Sequence, residues 1–296
     1  MATANLAPSA RIQNIDTAFK AFGLSADVLR LDAVHPLVSG NKGYKLKYWL
    51  QQCRNEGKKG IITWGGAWSN HLVATAAACA AAGLASVGIV RGEEPATLSA
   101  ALQDAQRLGM QSQFVNRAQY KEGIVPNDLD AHHFTVVPAG GYGAPGVAGA
   151  AEILSNISTH YSHIVCAVGT GTMLAGLMQA APKNSLVIGI SSQKNNPGLE
   201  AAVGALLGGN RRVFIDHRFH FGGYARWNAE LLQFMNDWYQ QTLIPTDFVY
   251  TAKMFYAVQQ LAKEAFFSPG SRILLIHSGG LQGNRGLPPR SLIFCP

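Results

Sequence analysis

The chain has 296 residues, of which 48% are hydrophobic and only 14% are charged. This composition excludes an intrinsically disordered chain, which combines low hydrophobicity with high charge. The 24 Lys and Arg residues outnumber the 17 Asp and Glu residues, giving a net charge of +7. The cations form no long basic run, so we expect them to serve small anions and do not expect nucleic-acid binding.

Three further features bear on the compartment of the protein. The four cysteines form no CxxC pair, so neither a metal site nor a redox pair is expected, and Cys79 and Cys166 are expected to be inert core thiols. The N-terminal residues lack the basic and apolar regions of a signal peptide. The most apolar stretch, 72–84, is shorter than the ~20 residues of a membrane helix. We therefore expect a cytoplasmic protein that does not bind membranes.

Short β-branched runs alternate with longer helical periods along the chain. The expected strands cover residues 61–64, 86–90, 114–115, 134–137, 164–168, 186–190 and 272–277. Helices are expected over residues 69–82 and 97–108, and again after residue 172. Strands that alternate with helices predict an α/β fold with open, twisted, mostly parallel sheets covered by helices.

Glycine pairs follow several of these strands, at 65–66, 140–141, 169/171 and 279–280. Ligands of open α/β sheets bind at the carboxyl ends of the strands. The pattern predicts that the four glycine pairs face one ligand crevice, the alternative being ordinary turns between strands and helices.

A pair of lysines, Lys42 and Lys45, stands at the expected start of an amphipathic helix. Cations are unfavourable there because the helix dipole is positive at its N-terminus. The pair is explained if an anion lies close or if one lysine is used chemically; otherwise both are solvated. A lysine whose pKa is lowered by neighbouring positive charge attacks aldehydes to form an imine. This reasoning makes Lys42 a candidate imine-forming lysine.

A Gly-Thr-Gly-Thr loop at 169–172 follows an expected strand and opens a helix. Its backbone N–H groups, hydroxyls and helix dipole suit a phosphate. The loop lacks the GK[ST] of a Walker A motif, and Leu174 replaces the third glycine of GxGxxG. The expected ligand is therefore a phosphate other than that of a dinucleotide.

Five motifs in a fixed order carry a family resemblance. They cover residues 40–46 (GNKGYKL), 65–71 (GGAWSNH), 169–172 (GTGT), 250–254 (YTAKM) and 277–283 (HSGGLQG). The set resembles the 1-aminocyclopropane-1-carboxylate deaminase / D-cysteine desulfhydrase family of fold type II pyridoxal-phosphate enzymes. The resemblance spans about residues 35–286 and implies the tryptophan synthase beta-like fold and the cofactor pyridoxal 5'-phosphate.

The resemblance also implies roles for individual residues. Lys42 would hold the cofactor as an imine, with Lys45 close by, and Asn70 would bond the ring hydroxyl of the cofactor. The implied phosphate site consists of Gly169, Thr170, Gly171 and Thr172. The implied catalytic residues beside Lys42 are Ser69, Tyr224 and Tyr250. His71 is open to two readings, as a base or as a packing residue at the helix start.

Thr251 bears on the choice of substrate. Ring-opening deaminases of this family usually have a glutamate at this position, whereas desulfhydrase-like members have threonine, and Ser278 resembles a second hydroxyl near the ring nitrogen. A hydroxyl stabilises ring protonation less than a carboxylate does. The resemblance thus favours β-elimination from a D-cysteine-like amino acid, giving pyruvate, sulfide and ammonia. Deamination of 1-aminocyclopropane-1-carboxylate to 2-oxobutanoate is the alternative, and a non-catalytic phosphate-binding protein is a remote one.

The resemblance finally implies an architecture. We expect a large cofactor-binding domain formed by residues 1–44 and 156–296, with residues 45–155 inserted as a small α/β domain. The expected partner is a small amino-acid substrate, and a homodimer is implied. The expected enzyme classes are a lyase that acts as a deaminase and, as a second class, a hydrolase.

Overall fold

The computed structural model describes residues 10–35, 38, 40–127, 129–209 and 211–295. The N-terminal segment 1–9, where no signal peptide is expected, lies outside the described residues. The described strands are β1 (Arg11–Asn14), β2 (Ser25–Arg30), β3 (Gly60–Gly65), β4 (Ala85–Arg91), β5 (Met110–Val115), β6 (Phe134–Val137), β7 (His163–Val168), β8 (Leu186–Ser191), β9 (Ile215–Asp216) and β10 (Arg272–His277). The described helices are α1 (Asn41–Asn55), α2 (Asn70–Ala82), α3 (Ala100–Arg107), α4 (Arg117–Glu122), α5 (Ala144–Ala151), α6 (Thr172–Ala180), α7 (Leu199–Leu206), α8 (Ala229–Thr242) and α9 (Thr251–Lys263).

The strands form two sheets. The larger sheet has the order β1-β2-β10-β7-β8-β9, and the smaller has the order β5-β4-β3-β6. Every described strand pair is parallel except β1 with β2, which are antiparallel at the edge of the larger sheet. The expected α/β fold with mostly parallel sheets is confirmed.

Helices cover both faces of the larger sheet. Ile273 to Ile276 of β10 are completely buried, as expected for a central strand covered on both faces. On one face, residues of α8 and α9 such as Trp238 and Phe255 pack on the sheet. On the other, α5 and α6 contribute Val147 and Leu174. The central strands therefore lie between two apolar layers.

The expected elements agree with the structure in type. The expected strands lie within β3 to β8 and β10, although β5 begins four residues earlier than expected. The helix expected over 97–108 is shorter, because Ser99 caps it and the described α3 begins at Ala100. Cys79 and Cys166 are buried, and burial raises the pKa of each thiol to about 12, which agrees with their reading as inert core thiols.

The two sheets draw on different parts of the chain. The smaller sheet uses residues 60–137, and the larger uses residues 11–30 and 163–277. The domain boundaries at residues 44/45 and 155/156 stay a prediction. Within the described part of the chain, no helix has the length and hydropathy that crossing a bilayer requires.

Candidate active site

A cavity of about 720 Å³ lies at the carboxyl ends of strands from both sheets. Gly65 and Gly66 line it at the end of β3, Gly140 after β6, and Gly169 and Gly171 after β7. Three of the four expected glycine segments thus contribute to one crevice. The pair 279–280 does not line it; Gly280 packs instead behind Asn70, whose Nδ2 would lie 3.0 Å from a Cβ at that position.

Lys42 lies in the first turn of α1 and lines the cavity. Its Nζ donates a hydrogen bond to Oδ1 of Asn41 over 2.7 Å. Burial lowers the pKa of Lys42 to about 8, against an opposing attraction from Asp247. The expected direction is therefore found, but its cause is burial rather than the positive charge of Lys45.

Lys45 follows one turn later on the same face of the helix. Its side chain is buried, and its Nζ donates to the carbonyl oxygen of Gly140. Burial, and next the charge of Lys42, lower the pKa of Lys45 well below its usual value. The structure thus brings both lysines to the cavity, and the positive charge of Lys42 lowers the pKa of Lys45.

The loop of residues 169–172 joins β7 to α6, as expected. Gly171 stands at the N-cap of α6 with a φ of 84°, a conformation that favours glycine. A Cβ at this position would lie 2.4 Å from Val203. The hydroxyls of Thr170 and Thr172 are 3.0 Å apart, and the first N–H groups of a helix have no intrahelical acceptor. The loop therefore presents several hydrogen-bond donors at the N-terminus of α6, although Thr172 itself is buried and does not line the cavity.

Ser69 and Asn70 stand at the start of α2, and both line the cavity. Ser69 is the N-cap, and its Oγ accepts the N–H of Leu72 over 3.3 Å. Oδ1 of Asn70 is buried and has no hydrogen-bond partner among the described residues. The cap leaves the hydroxyl proton of Ser69 available, and Asn70 offers an acceptor that no described residue uses.

His71 is a buried residue with one free acceptor. The hydroxyl of Thr63 donates to the carbonyl of Val137 over 2.7 Å, so in the 2.9 Å contact with His71 the ring Nε2–H is the donor. Burial, and then Lys45 and Lys42, lower the pKa of His71 well below its usual value. The ring is therefore neutral, and its buried Nδ1 has no partner within the described residues. His71 packs against β3, as its reading as a packing residue expects, and it lines the cavity; its role as a base stays a prediction.

Tyr224 and Tyr250 face each other across the cavity wall. Their ring centroids are 6.0 Å apart in an edge-on arrangement, and burial raises the pKa of both phenols. Tyr224 is 44% exposed, whereas Tyr250 is largely buried at the N-cap of α9. Two expected site residues from different segments are thus brought together, and both phenols stay protonated at neutral pH.

Thr251 lies behind this wall and is not exposed to the cavity. Its hydroxyl donates to Oδ1 of Asp247 over 2.7 Å and accepts the N–H of Asp247 over 2.8 Å. Ser278 lines the cavity at the end of β10, and its hydroxyl has no hydrogen-bond partner in the described part of the chain. The contact of either hydroxyl with a cofactor stays a prediction.

Asp247 is a residue that the sequence analysis missed. It is fully buried, and its carboxylate accepts the N–H groups of Val249, Tyr250 and Thr251 over 2.9 Å each. A carboxylate that accepts the free N–H groups of a helix start is a cap. The available signal was an Asp four residues before a Thr at the start of an apolar helix.

The cavity wall carries positive charge without a carboxylate among the residues that the structure describes. Its cationic residues are Lys42, Lys45, Arg91, Lys194 and Arg226. The sequence analysis did not consider Arg91, although its place at the carboxyl end of the parallel strand β4 was the signal for it. The wall is suited to anionic ligands.

Three observations test whether these residues fit pyridoxal phosphate. The loop at 169–172 offers donors for a phosphate, and the cationic wall balances its charge. Lys42 has the lowered pKa that imine formation needs. The orphaned Oδ1 of Asn70 and Nδ1 of His71 are acceptors that a buried ligand can satisfy. The residues fit the cofactor.

Comparisons with known proteins also indicate an enzyme that uses pyridoxal phosphate. A family model described as "Pyridoxal-phosphate dependent enzyme" matches residues 12–279. A Pyrococcus horikoshii protein described as "Putative 1-aminocyclopropane-1-carboxylate deaminase" is 28% identical over 92% of this chain and 89% of its own length. The mitochondrial bifunctional D-cysteine desulfhydrase/1-aminocyclopropane-1-carboxylate deaminase of Arabidopsis thaliana is 27% identical over 83% of this chain and 70% of its own length.

A solved structure described as an ACC deaminase homologue superposes with a TM-score of 0.81, at 25% identity, over 95% of this chain and 92% of that one. The fold type II expectation is confirmed. The family is one of enzymes, which disfavours the non-catalytic alternative, and the findings indicate a lyase, so the hydrolase class kept in the sequence analysis is wrong. Because the family model covers most of the chain, this protein belongs to the pyridoxal-phosphate-dependent enzymes, and its cofactor is pyridoxal 5'-phosphate.

Proposed function

We propose that this enzyme catalyses β-elimination from a small D-cysteine-like amino acid. D-cysteine and one water would give pyruvate, hydrogen sulfide and ammonia. The observation that carries the proposal is the cavity wall: the described residues that line it offer hydroxyls and cations, and none of them is a carboxylate. Deamination of 1-aminocyclopropane-1-carboxylate is the second candidate, since relatives are described by both activities.

Residues at the starts of three helices, α1, α2 and α6, would hold the cofactor. We assign the imine linkage to Lys42, the phosphate to residues 169–172 with Lys45 nearby, and the ring hydroxyl to Asn70. When bound, pyridoxal phosphate withdraws electrons from the bonds of the substrate α-carbon, which makes the α-proton acidic. The protein supplies the position of the substrate and the path of its protons.

Four residues are suited to handling protons at the substrate. The free amine of Lys42, whose pKa is about 8, would accept a proton near neutral pH. Ser69 lines the same cavity and holds a free hydroxyl proton. The phenols of Tyr224 and Tyr250 have raised pKa values, so they are protonated and can donate to a departing thiolate.

The choice between elimination and ring opening depends on the ring nitrogen. Opening a carbon–carbon bond needs a strong electron sink, which a carboxylate beside the ring nitrogen provides by keeping it protonated. Asp247 is a buried carboxylate close to the start of α9. Its oxygens already accept hydrogen bonds from three backbone N–H groups and from the hydroxyl of Thr251. A hydroxyl such as that of Ser278, which lines the cavity, favours reactions in which a good leaving group departs readily.

The test compares three substrates with the loaded enzyme. We expect a higher kcat/KM for D-cysteine and for β-chloro-D-alanine, measured as pyruvate, than for the cyclopropane amino acid, measured as 2-oxobutanoate. β-Chloro-D-alanine separates elimination from any requirement for a thiol. A preference for the cyclopropane amino acid would overturn the proposal in favour of the second candidate, and turnover of none of the three would reject both.

A further inference from the structure

Lys253 is a buried cation to which the proposed reaction assigns no role. It lies on α9, three residues after Tyr250, and its side chain is fully buried. Its Nζ donates to the carbonyl oxygens of His220 and Gly223, over 2.9 and 2.7 Å. Burying an ammonium group is unfavourable unless hydrogen bonds compensate it. Both compensating bonds end on one loop.

That loop, residues 220–226, joins β9 to α8 and contributes part of the cavity wall. Its backbone has positive φ at four positions: 50° at Phe221, 89° at Gly222, 120° at Gly223 and 54° at Ala225. Such conformations are unfavourable for residues other than glycine and persist only where the surroundings hold them. The loop therefore needs an external constraint, and its carbonyls find one in Lys253.

The constraint acts next to Tyr224. Gly223, one of the two acceptors, immediately precedes this tyrosine, whose ring meets Tyr250 at 6.0 Å. Tyr250 and Lys253 are one turn apart at the start of the same helix. The start of α9 therefore carries both Tyr250, which contacts the ring of Tyr224, and Lys253, which binds the loop that contains Tyr224.

We propose that Lys253 is a positioning residue: it fixes the loop 220–226 to α9 and so holds Tyr224 against Tyr250 at the cavity. The catalytic part of this proposal rests on the role that the proposed function gives to Tyr224. Burial lowers the pKa of Lys253 to about 8, with Asp247 opposing this, so the ammonium form with three donors predominates at neutral pH. Phe221 also packs on Tyr256 of α9, with centroids 4.9 Å apart, so the loop keeps one anchor when Lys253 is replaced.

The test begins with loop mobility in the cofactor-free protein. Lys253→Met removes both hydrogen bonds and keeps the length of the side chain. We expect amide hydrogen exchange of residues 221–226 to rise by about tenfold or more, since bonds to a charged donor are lost, while exchange in β7 and β10 stays unchanged. Lys58→Met is the matched control, because Lys58 also donates to a backbone carbonyl, that of His132, on an exposed surface.

The second measurement is a double-mutant cycle in the loaded enzyme. Lys253→Met should lower kcat more than it raises KM, and adding it to Tyr224→Phe should cause little further loss, because both changes remove the same group from the site. Lys253→Gln keeps an uncharged amide donor and should lie between Lys253→Met and the wild type. This variant also covers the case in which Lys253→Met does not fold.

The outcomes separate the two proposals. Unchanged loop exchange in Lys253→Met, or fully additive losses in the cycle, would overturn the positioning role. Full activity of Tyr224→Phe would instead remove Tyr224 from the proposed function and with it the catalytic part of the positioning role. Raised loop exchange would then leave Lys253 as an anchor of the loop only.

Discussion

Ser69 combines two roles that a mutation can separate. As the N-cap of α2 it stabilises the helix, and removal of such a cap costs about 1 kcal/mol. As a hydroxyl in the cavity wall it is placed to handle a proton, which contributes ~10²-fold or more to a rate. We therefore expect Ser69→Ala to retain the cofactor and most of the thermal stability, and to lose at least about 10²-fold in kcat.

Ser99 provides the control for this prediction. It caps α3 with the same kind of bond, accepting the N–H of Leu102 over 3.2 Å, and its hydroxyl donates to the carbonyl of Ala67. Ser99 does not line the cavity. Ser99→Ala should lower the melting temperature and leave kcat near that of the wild type. If Ser69→Ala kept near-full turnover on every accepted substrate, Ser69 would be a cap only, and Lys42 or Tyr224 would have to move the proton.

Lys42 gives a pH dependence whose sign follows from its pKa. Its ordinary pKa near 10.5 is lowered to about 8, and the neutral amine is the form that attacks an aldehyde. The rate at which the cofactor-free protein captures pyridoxal phosphate should therefore rise with pH and level off above about 8. Stopped-flow absorbance across the pH range measures the midpoint.

Borohydride reduction identifies the amine involved. Peptide mass analysis should find the pyridoxyl group on Lys42, and Lys42→Ala should give no labelled peptide. A midpoint near 10.5 would contradict the lowered pKa. Lys45 and Lys253 are also buried lysines of lowered pKa. A label on either of them would contradict the assignment.

Individual residues differ in how far the sequence could predict them. The chemistry of Lys42 followed from its residue type and its place at a helix start, and the structure shows the expected lowered pKa. The cause of that shift was not predictable, because burial depends on segments distant in sequence. Asp247 was missed because its importance also depends on distant segments. Its hydrogen-bond partners are close in sequence, but its carboxylate attracts Lys42 and Lys253 only after the chain has folded.

At the scale of elements, close helix packing sets the position of the lysine-bearing helix. A Cβ at Gly149 of α5 would lie 1.9 Å from the carbonyl oxygen of Tyr44 in α1, between Lys42 and Lys45. Forcing extra volume into a packed contact typically costs about 1–3 kcal/mol. Gly149→Ala should therefore lower the free energy of unfolding by about this amount, measured by urea denaturation, and should slow cofactor capture.

Gly204→Ala is the matched control on another helix. Gly204 lies in α7, and no described residue lies within 4 Å of a Cβ at this position. Replacing a helical glycine with alanine in open space should stabilise by up to about 1 kcal/mol. Equal stabilities of the two variants would show that α1 and α5 move apart freely, against the close contact described.

The elements that the sequence predicted are those with strong local signals. The strands β3, β4, β7, β8 and β10 are apolar runs that end at turns, and their type follows from this pattern. The antiparallel edge strand β1 carries no such signal: residues 11–14 read RIQN and are mostly exposed. The helices α8 and α9 were not identified beforehand, although buried residues recur at helical spacing in both, such as Leu231, Met235 and Trp238 in α8.

At the scale of the whole molecule, the site exists only because distant segments converge. Residues from α1, from the ends of β3, β4, β6, β7 and β10, and from the loop 220–226 line one cavity. The order of the motifs and the rule that parallel strands present their carboxyl ends together predicted this convergence. The distances between the segments were not predictable, since they depend on how the two sheets pack.

The cationic wall of the cavity has a consequence for the conditions in which the enzyme works. A concave surface of one charge sign concentrates anions from solution and speeds their capture. Dissolved salt weakens this attraction, because the screening length falls to about 8 Å at physiological ionic strength. Cofactor phosphate and substrate carboxylate are both anions, so inorganic phosphate or sulfate in a buffer would compete with each of them. Chloride or acetate at low ionic strength is the medium in which the full encounter rate of this enzyme is reached.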